Sequence, residues 1–464
     1  MRTIVGGCLL VAATACLLIL GSAAPQAADD KEKGDAPAKG KVAYHYPDFG
    51  FLPPPNQYEG RVFHLSQNYP QEANAPVPDF ATRDFDDVKK NWRQYLLDVR
   101  AYCFKGNTAG PNVEDDFDVA HNGTGWFHMP WQHFGPNGRE GVHGLTKEAP
   151  VQPRQLAWSQ TYAGGQAYAV GFYNALGGYT IGQVWKDHEH PANDPKAMMF
   201  PEGTVVFKLL FTDIPPAQVP SLNPPLQWRA YVTDNYASTN RGFKAMSLIQ
   251  MDIMVKHKGS PNGWVFGNFQ YNGQRPGADP KKPNWENLVP LGIQWGNDPE
   301  NTDNVSNPQP ITTVINPKLK ETIINPDTNE LPPTHLGWNS RLNGPLDNPM
   351  SSCMSCHMTA EAPQKSAISP LFTTNPPAPG SEYWMRWFKN VKCGEAFDEK
   401  VAPTDFSLQM AAAIQNFRTW RNEGSKLVAD RYKSKAVPAK LLPLAGPAHV
   451  NPLTDEVEIR RNER

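Results

Sequence analysis

Ser247-Leu248-Ile249-Gln250-Met251-Asp252-Ile253-Met254-Val255-Lys256-His257 alternates in character along its length. Ile249, Met251, Ile253 and Val255 fall on one face, and Gln250, Asp252 and Lys256 on the other. A period of two belongs to a β-strand, whose successive side chains point to opposite sides of a sheet. The signal recurs on either side of this stretch. Upstream lie residues 167–173, 179–185 and 227–232, and the almost continuously apolar 204–211, which suits a buried central strand. Downstream lie residues 264–271 and 288–295. Clusters such as Gly259-Ser260-Pro261-Asn262-Gly263 separate the runs. Short strands divided by turn residues predict a large antiparallel all-β domain, a sandwich or a barrel, over residues 81–330.

Helical periodicity marks two further stretches. Over residues 84–104, Phe85, Val88, Trp92, Tyr95, Leu96, Val99 and Tyr102 recur at three and four, with Asp84 as cap and Gly106 as stop. This predicted helix carries Cys103 at its end. Over residues 405–421, Phe406, Met410, Ile414 and Phe417 share a face, with Thr404 as cap and Gly424 as the end. The sequence between and around these elements is irregular. Residues 29–41 are charged and rich in Ala, Gly and Lys, a linker composition, and residues 44–80 form a Pro- and aromatic-rich extended arm. Residues 298–331 read as a loop-rich connector, and residues 431–464 as an irregular tail.

The 464 residues suffice for two or three domains. Pro, at 46 residues, is about twice as frequent as the usual ~5%, which favours many loops joining short elements. The net charge of −2, without a basic stripe, gives no expectation of a nucleic-acid partner. Residues 1–28 begin Met1-Arg2-Thr3, continue as an apolar run and end in small residues, the pattern of a secretory signal. An uncleaved anchor is the alternative, because the run approaches the length of a membrane span. No other run is long enough to cross a bilayer, so a periplasmic or secreted protein is expected.

Within such a protein, Cys353-Met354-Ser355-Cys356-His357 is the most informative motif. C-x-x-C-H is the attachment signature of a c-type haem. Two thiols three positions apart lie on one side of a helical turn and can form thioethers with the two vinyl groups of one haem. The following His then supplies the proximal axial ligand, and its second ring nitrogen needs a hydrogen-bond acceptor. A structural zinc site would require a second pair of ligands, and Cys393 stands alone. A thioredoxin-like pair would require a βαβ surrounding, whereas this one sits in a Pro- and Ser-rich loop. Cys103 and Cys393 are left over, either as two buried free thiols or as a bridge closing a long loop, worth roughly 5 kcal/mol in chain entropy.

On this motif the chain resembles the c-type cytochromes over residues 334–423. The resemblance implies one covalent haem c and a small α-helical haem domain over residues 331–430. It also implies one-electron transfer with redox partner proteins. Cytochromes c take a Met as sixth ligand from a loop ahead of the last helix, and Met385 fits that place, with Met410 as rival. Arg341 is either a partner for a haem propionate, as guanidinium suits carboxylate, or a surface residue. The Gly-rich stretch from His121 to His143 gathers His128, His133, Arg139 and His143. These are candidate catalytic residues for a distal haem face, a metal site or a substrate pocket, or else an aromatic loop whose His side chains bond to backbone. The alternatives to an electron carrier are therefore a haem-dependent oxidoreductase with its substrate site in the β-rich domain, and a partner-binding β module with a tethered haem.

Overall fold

Eight strands join in one antiparallel sheet. In chain order they are β1 (Thr146–Val151), β2 (Gly165–Tyr173), β3 (Val205–Thr212), β4 (Gln227–Thr233), β5 (Arg241–Lys256), β6 (Trp264–Tyr271), β7 (Leu288–Gln294) and β8 (Thr322–Ile324). The computed structural model describes residues 51–108, 125–132, 139–235, 240–303, 313–332 and 336–432, plus residues 112, 114, 117 and 238, with side chains as far as residue 422. The expected signal, linker and tail segments lie outside these residues, apart from the few that border them. Among the described residues, no helix is long and apolar enough to cross a membrane.

Across the sheet the order is β1-β2-β3-β5-β6-β7-β8, with β4 paired to β5. The path runs from β1 to β8 without closing, so the expected sandwich or barrel takes the form of one large open sheet. β5 organises it. Ser247 pairs with Thr212 of β3 on one edge and Gln227 of β4 on the other. Val255 likewise pairs with Val205 of β3 and Val265 of β6, so β4 and β6 follow one another along the same edge.

The alternation of β5 decides what each face buries. Ile249, Met251, Ile253 and Val255 enter a core shared with Phe172, Phe207 and Phe269. This first face is covered by α1 (Phe85–Lys90) and α2 (Trp92–Phe104). The single helix expected there is interrupted at Asn91, whose backbone (φ −110°, ψ 33°) leaves the helical region. Asp84 caps α1 as expected, accepting from the amides of Asp86 and Asp87 at 3.0 and 3.2 Å. Gly267 of β6 lets α2 approach, since a Cβ there would overlap the side chain of Leu96. Cys103 is a buried free thiol in this core, while Cys393, also free, packs against the cluster on the second face. The bridge between them does not form.

One expected strand is a helix. Residues 179–185 fall largely within α3 (Ala175–Val184), capped by Asn174 Oδ1, which accepts from Gly177 N at 3.1 Å. Leu176, Thr180, Ile181 and Val184 are among its buried positions, a helical spacing that the alternation of Tyr179, Ile181 and Trp185 concealed.

The second face carries Gln250, Asp252 and Lys256, and the chain after residue 330 covers it. This segment holds α4 (Cys353–His357), the two-residue pair β9 (Glu361–Ala362) and β10 (Ala402–Pro403), α5 (Glu382–Met385) and α6 (Leu408–Tyr432). Phe406, Met410, Ile414 and Phe417 are all buried, so the expected apolar stripe is the packed one. Two end signals differ. Ser407 caps α6, its Oγ accepting from Met410 N at 3.1 Å, while Thr404 Oγ1 donates to the Ser407 carbonyl. Gly424 does not end the helix, which runs on to Tyr432.

Asp405 ties this segment to the sheet. Its carboxylate receives Lys256 Nζ at 2.8 and 2.6 Å, Trp264 Nε1 at 3.1 Å and Phe200 N at 2.9 Å. Asp405 is 1% exposed. Removing one partner of a buried ion pair strands the other charge. Asp405→Ala is expected to lower stability by about 3–5 kcal/mol, with the double variant Lys256→Met/Asp405→Leu recovering a large part of the loss. Denaturant midpoints of the three proteins check this.

Candidate functional site

α4 is a single turn, and its ends are fixed. Ser352 and Ser355 form a reciprocal capping box: Ser355 N donates to Ser352 Oγ at 3.2 Å and Ser352 N to Ser355 Oγ at 2.8 Å. Met354 N donates to Gln294 Oε1 of β7 at 3.1 Å, and Cys353 N to the Leu342 carbonyl at 3.0 Å. Burial then sorts the turn into two faces. Met354, Ser355 and Met358 are buried, whereas Cys353, Cys356 and His357 are partly exposed. The spacing i, i+3, i+4 therefore presents both thiols and the imidazole on one side.

The imidazole is held in one tautomer. His357 Nδ1–H donates to the Phe406 carbonyl at 2.8 Å, which leaves the Nε2 lone pair available. Its ring packs 5.0 Å from that of Phe266 of β6. Burial lowers the pKa of His357 to about 4, with Lys208 acting in the same direction, so the ring is neutral at neutral pH. Burial also pushes the Cys356 thiol up to about 11. Cys353 is raised too, first by burial and then by Asp252 and Asp347. A thiol–disulfide exchange site needs a thiol of lowered pKa, and these are the reverse.

The Phe406 carbonyl points at His357 because of a corner that sequence patterns do not disclose. Asp405 and Phe406 both have left-handed backbones, with φ of 46° and 68°. Such geometry costs of order 1–3 kcal/mol per residue and persists where surroundings over-determine it. Here the bonds to the Asp405 carboxylate do so.

The other sequence candidates are placed as follows. Arg341 is not a surface residue: it is fully buried. Its Nε donates to the Asn297 carbonyl at 2.8 Å, and its Nη2 to the carbonyls of Asp298 and Asn301 at 2.8 and 3.0 Å. The guanidinium lies over Trp338 and Phe388 at 4.7 and 4.8 Å. Burial lowers its pKa to about 10. Nε and Nη2 are spent on one loop, while Nη1 has no hydrogen-bond partner among the described residues. Met410 is fully buried among the side chains of the second face, and Met385 is partly buried at the end of α5. Met358 accepts at Sδ from Asn297 Nδ2 at 2.9 Å, which fixes it away from the open face of α4.

Among the described residues of the His-rich stretch, His128 and His143 lie on the other face of the sheet from α4, whereas Met129 and Trp131 pack in the second-face cluster. His128 and His143 pack on residues of the first face, Phe172 at 5.2 Å and Trp228 at 4.6 Å, whereas Phe266 beside His357 belongs to the second. His128 Nδ1 accepts from Ser66 N at 2.9 Å, and His143 Nε2 meets Glu114 Oε1 at 3.0 Å. Arg139 is buried with its guanidinium 5.1 Å from the Phe63 ring. Glu140 organises the loop, its carboxylate accepting from the amides of Val142, His143, Leu145 and Tyr231. Of the expected catalytic group, His128 thus meets backbone and His143 a carboxylate. His121 and His133 lie outside the described residues. Among the described residues, no group of three or more His, Cys, Asp or Glu is arranged to hold a metal ion.

No protein-family model, curated protein or solved structure matches this chain. The chemistry of the α4 face therefore rests on its own residues. One consequence is a pH dependence. With a folded pKa near 4 against an ordinary 6.5, His357 takes up a proton more readily when unfolded. The contribution of His357 to stability is complete above the unfolded value and is lost as pH falls towards the folded one. In the Cys353→Ser/Cys356→Ser protein, unfolding midpoints are expected to drop across this window. His357→Gln in the same background is expected to remove that part of the drop.

Proposed function

We propose that this chain is an exported mono-haem c-type cytochrome and that its activity is one-electron transfer. The supporting observation is the α4 face, where Cys353, Cys356 and His357 are the partly exposed residues of an otherwise buried turn, and Nδ1 of His357 is engaged by the Phe406 carbonyl, with no partner for Nε2 among the described residues. Cys353 and Cys356 would hold the haem by thioethers, and His357 would ligate its iron. One-electron chemistry is what that group supplies when bound. On this reading residues 331–430 are a cytochrome c-like haem segment, and the β-rich part is the platform on which it lies.

The residues of the chain serve the group by orientation and by neutrality. The Phe406 carbonyl holds the proton on Nδ1, so that Nε2 is presented as a neutral base. The capping box and Gln294 fix the turn against the sheet, so the two sulfurs and the nitrogen keep one mutual geometry. Met385 is the favoured sixth ligand because it is partly accessible at the end of a short helix, whereas Met410 is fully enclosed. A Met in that position raises the potential and closes the site.

Absorption spectra of the protein exported from a host with c-haem maturation test this reading. A covalent haem with a low-spin spectrum unmoved by carbon monoxide is expected. Cys353→Ser and Cys356→Ser should each weaken covalent attachment, and the double variant should abolish it. Met385→Ala should open the iron to carbon monoxide; if only Met410→Ala does so, Met410 is the ligand. A chain exported without covalent haem would sink the proposal.

A further inference from the structure

Two carboxylates beside α4 converge on one amide. Gln250 Nε2 of β5 donates to Asp252 Oδ1 and Oδ2, both at 3.1 Å, and to Asp347 Oδ2 at 3.0 Å. The amide cannot turn over without loss, because its Oε1 accepts from Leu346 N at 2.9 Å. Asp347 also accepts from Gly344 N at 3.2 Å, and Asp252 from Asn268 Nδ2 of β6. Lys208 of β3 stands directly across from Asp252 in the sheet register, and its ammonium is engaged by Glu148 of β1 at 3.2 Å. Three acids thus surround one base. Cys353 and Cys356 feel the field of this cluster, as His357 feels that of Lys208.

Two carboxylates gathered on one NH₂ group repel unless one of them keeps a proton. Burial raises Asp252 well above the ordinary carboxylate range, and the neighbouring Asp347 raises it further. Asp347 is raised as well, chiefly by burial. A group poised in this way responds to any change of charge nearby.

We infer that the Asp252–Asp347 pair couples proton uptake to electron uptake at the α4 face. As one electron arrives from a one-electron donor protein, the positive charge beside His357 falls by one unit and the pair takes one proton from water. The pair returns the proton when the electron leaves to a one-electron acceptor. This inference rests on the α4 face being a haem site.

The test is a redox titration of the full haem-loaded chain from mildly acidic to mildly alkaline pH, read by absorption. The midpoint potential is expected to fall as pH rises, towards the one-proton, one-electron slope of about 59 mV per tenfold change in proton concentration. Asp252→Asn and Asp347→Asn should each flatten that slope. A wild-type potential independent of pH, or a slope unchanged in both variants, overturns the inference; the second result would assign the proton to another group, such as the haem's own carboxylates. The infrared spectrum of the Cys353→Ser/Cys356→Ser protein reads the acid pair independently of the haem. A protonated-carboxyl band at neutral pH, lost with Asp347→Asn, is expected without any haem, and its absence overturns the shared proton. A chain that shows the band yet never loads haem overturns the coupling through failure of the haem reading, not of the acid pair.

Discussion

The buried carboxylate of Asp405 is the constraint on which the arrangement depends. It is one residue in a corner between β10 and α6, yet it takes Lys256 at the end of β5, Trp264 at the start of β6 and the amide of Phe200. A buried pair of this kind is weak as a source of net stability, because both charges lose their water. It is stronger as a device of position. The placement of the C-terminal segment that satisfies these donors holds two left-handed residues in a row. The next carbonyl along, that of Phe406, then meets His357. The orientation of the imidazole is thus set by contacts made to a different residue.

The polarity of the second face follows from the same arrangement. Gln250, Lys256, Asn268, Gln270 and Gln294 are buried side chains, although on a half-exposed sheet they would face water. Burying polar groups costs free energy unless partners are provided. The covering segment provides them for three of these: Asp405 for Lys256, the Leu346 amide for Gln250 and the Met354 amide for Gln294. The first face has no comparable requirement, since its residues are apolar and pack on α2. One sheet therefore carries an apolar core on one side, and on the other an apolar cluster interrupted by a polar, sequence-specific seam. The seam is where α4 lies.

This division explains what could be read from the sequence. The alternation of residues 247–257 placed β5 correctly, and the buried run at 204–211 placed β3. The stripe from Phe406 to Phe417 located α6. These signals are local, and one element suffices to produce them. The signals that failed needed a second element. Tyr179, Ile181 and Trp185 alternate like a strand, but the Asn174 cap and the packing of Ile181 and Val184 select a helix. Arg341 reads as either a propionate partner or a surface cation, and the loop carbonyls that bury it are not visible in the sequence. Within the site, Cys353, Cys356 and His357 are a contiguous motif and visible as one. Phe406 acts through its backbone, and Asp252 and Asp347 are 95 positions apart in the chain, so no spacing announces them.

Burial has a consistent effect on the chemistry of the α4 face. It raises the acids and lowers the base, so Cys353, Cys356 and His357 are all uncharged at neutral pH. Thiolate chemistry and imidazolium chemistry are both disfavoured by that outcome. What remains is a set of neutral sulfur and nitrogen donors, with an acidic cluster of Asp252, Asp347 and Glu148 nearby and a single Lys208 among them. Such surroundings favour a guest that brings positive charge of its own. A haem iron ligated by a neutral imidazole is a guest of that kind, and a cluster of acids stabilises its more positive, oxidised state. A Met ligand works in the opposite sense by favouring the reduced state. The potential of the proposed centre would then be set by the contest between these two effects, and the protonation of the Asp252–Asp347 pair decides how much the acids contribute.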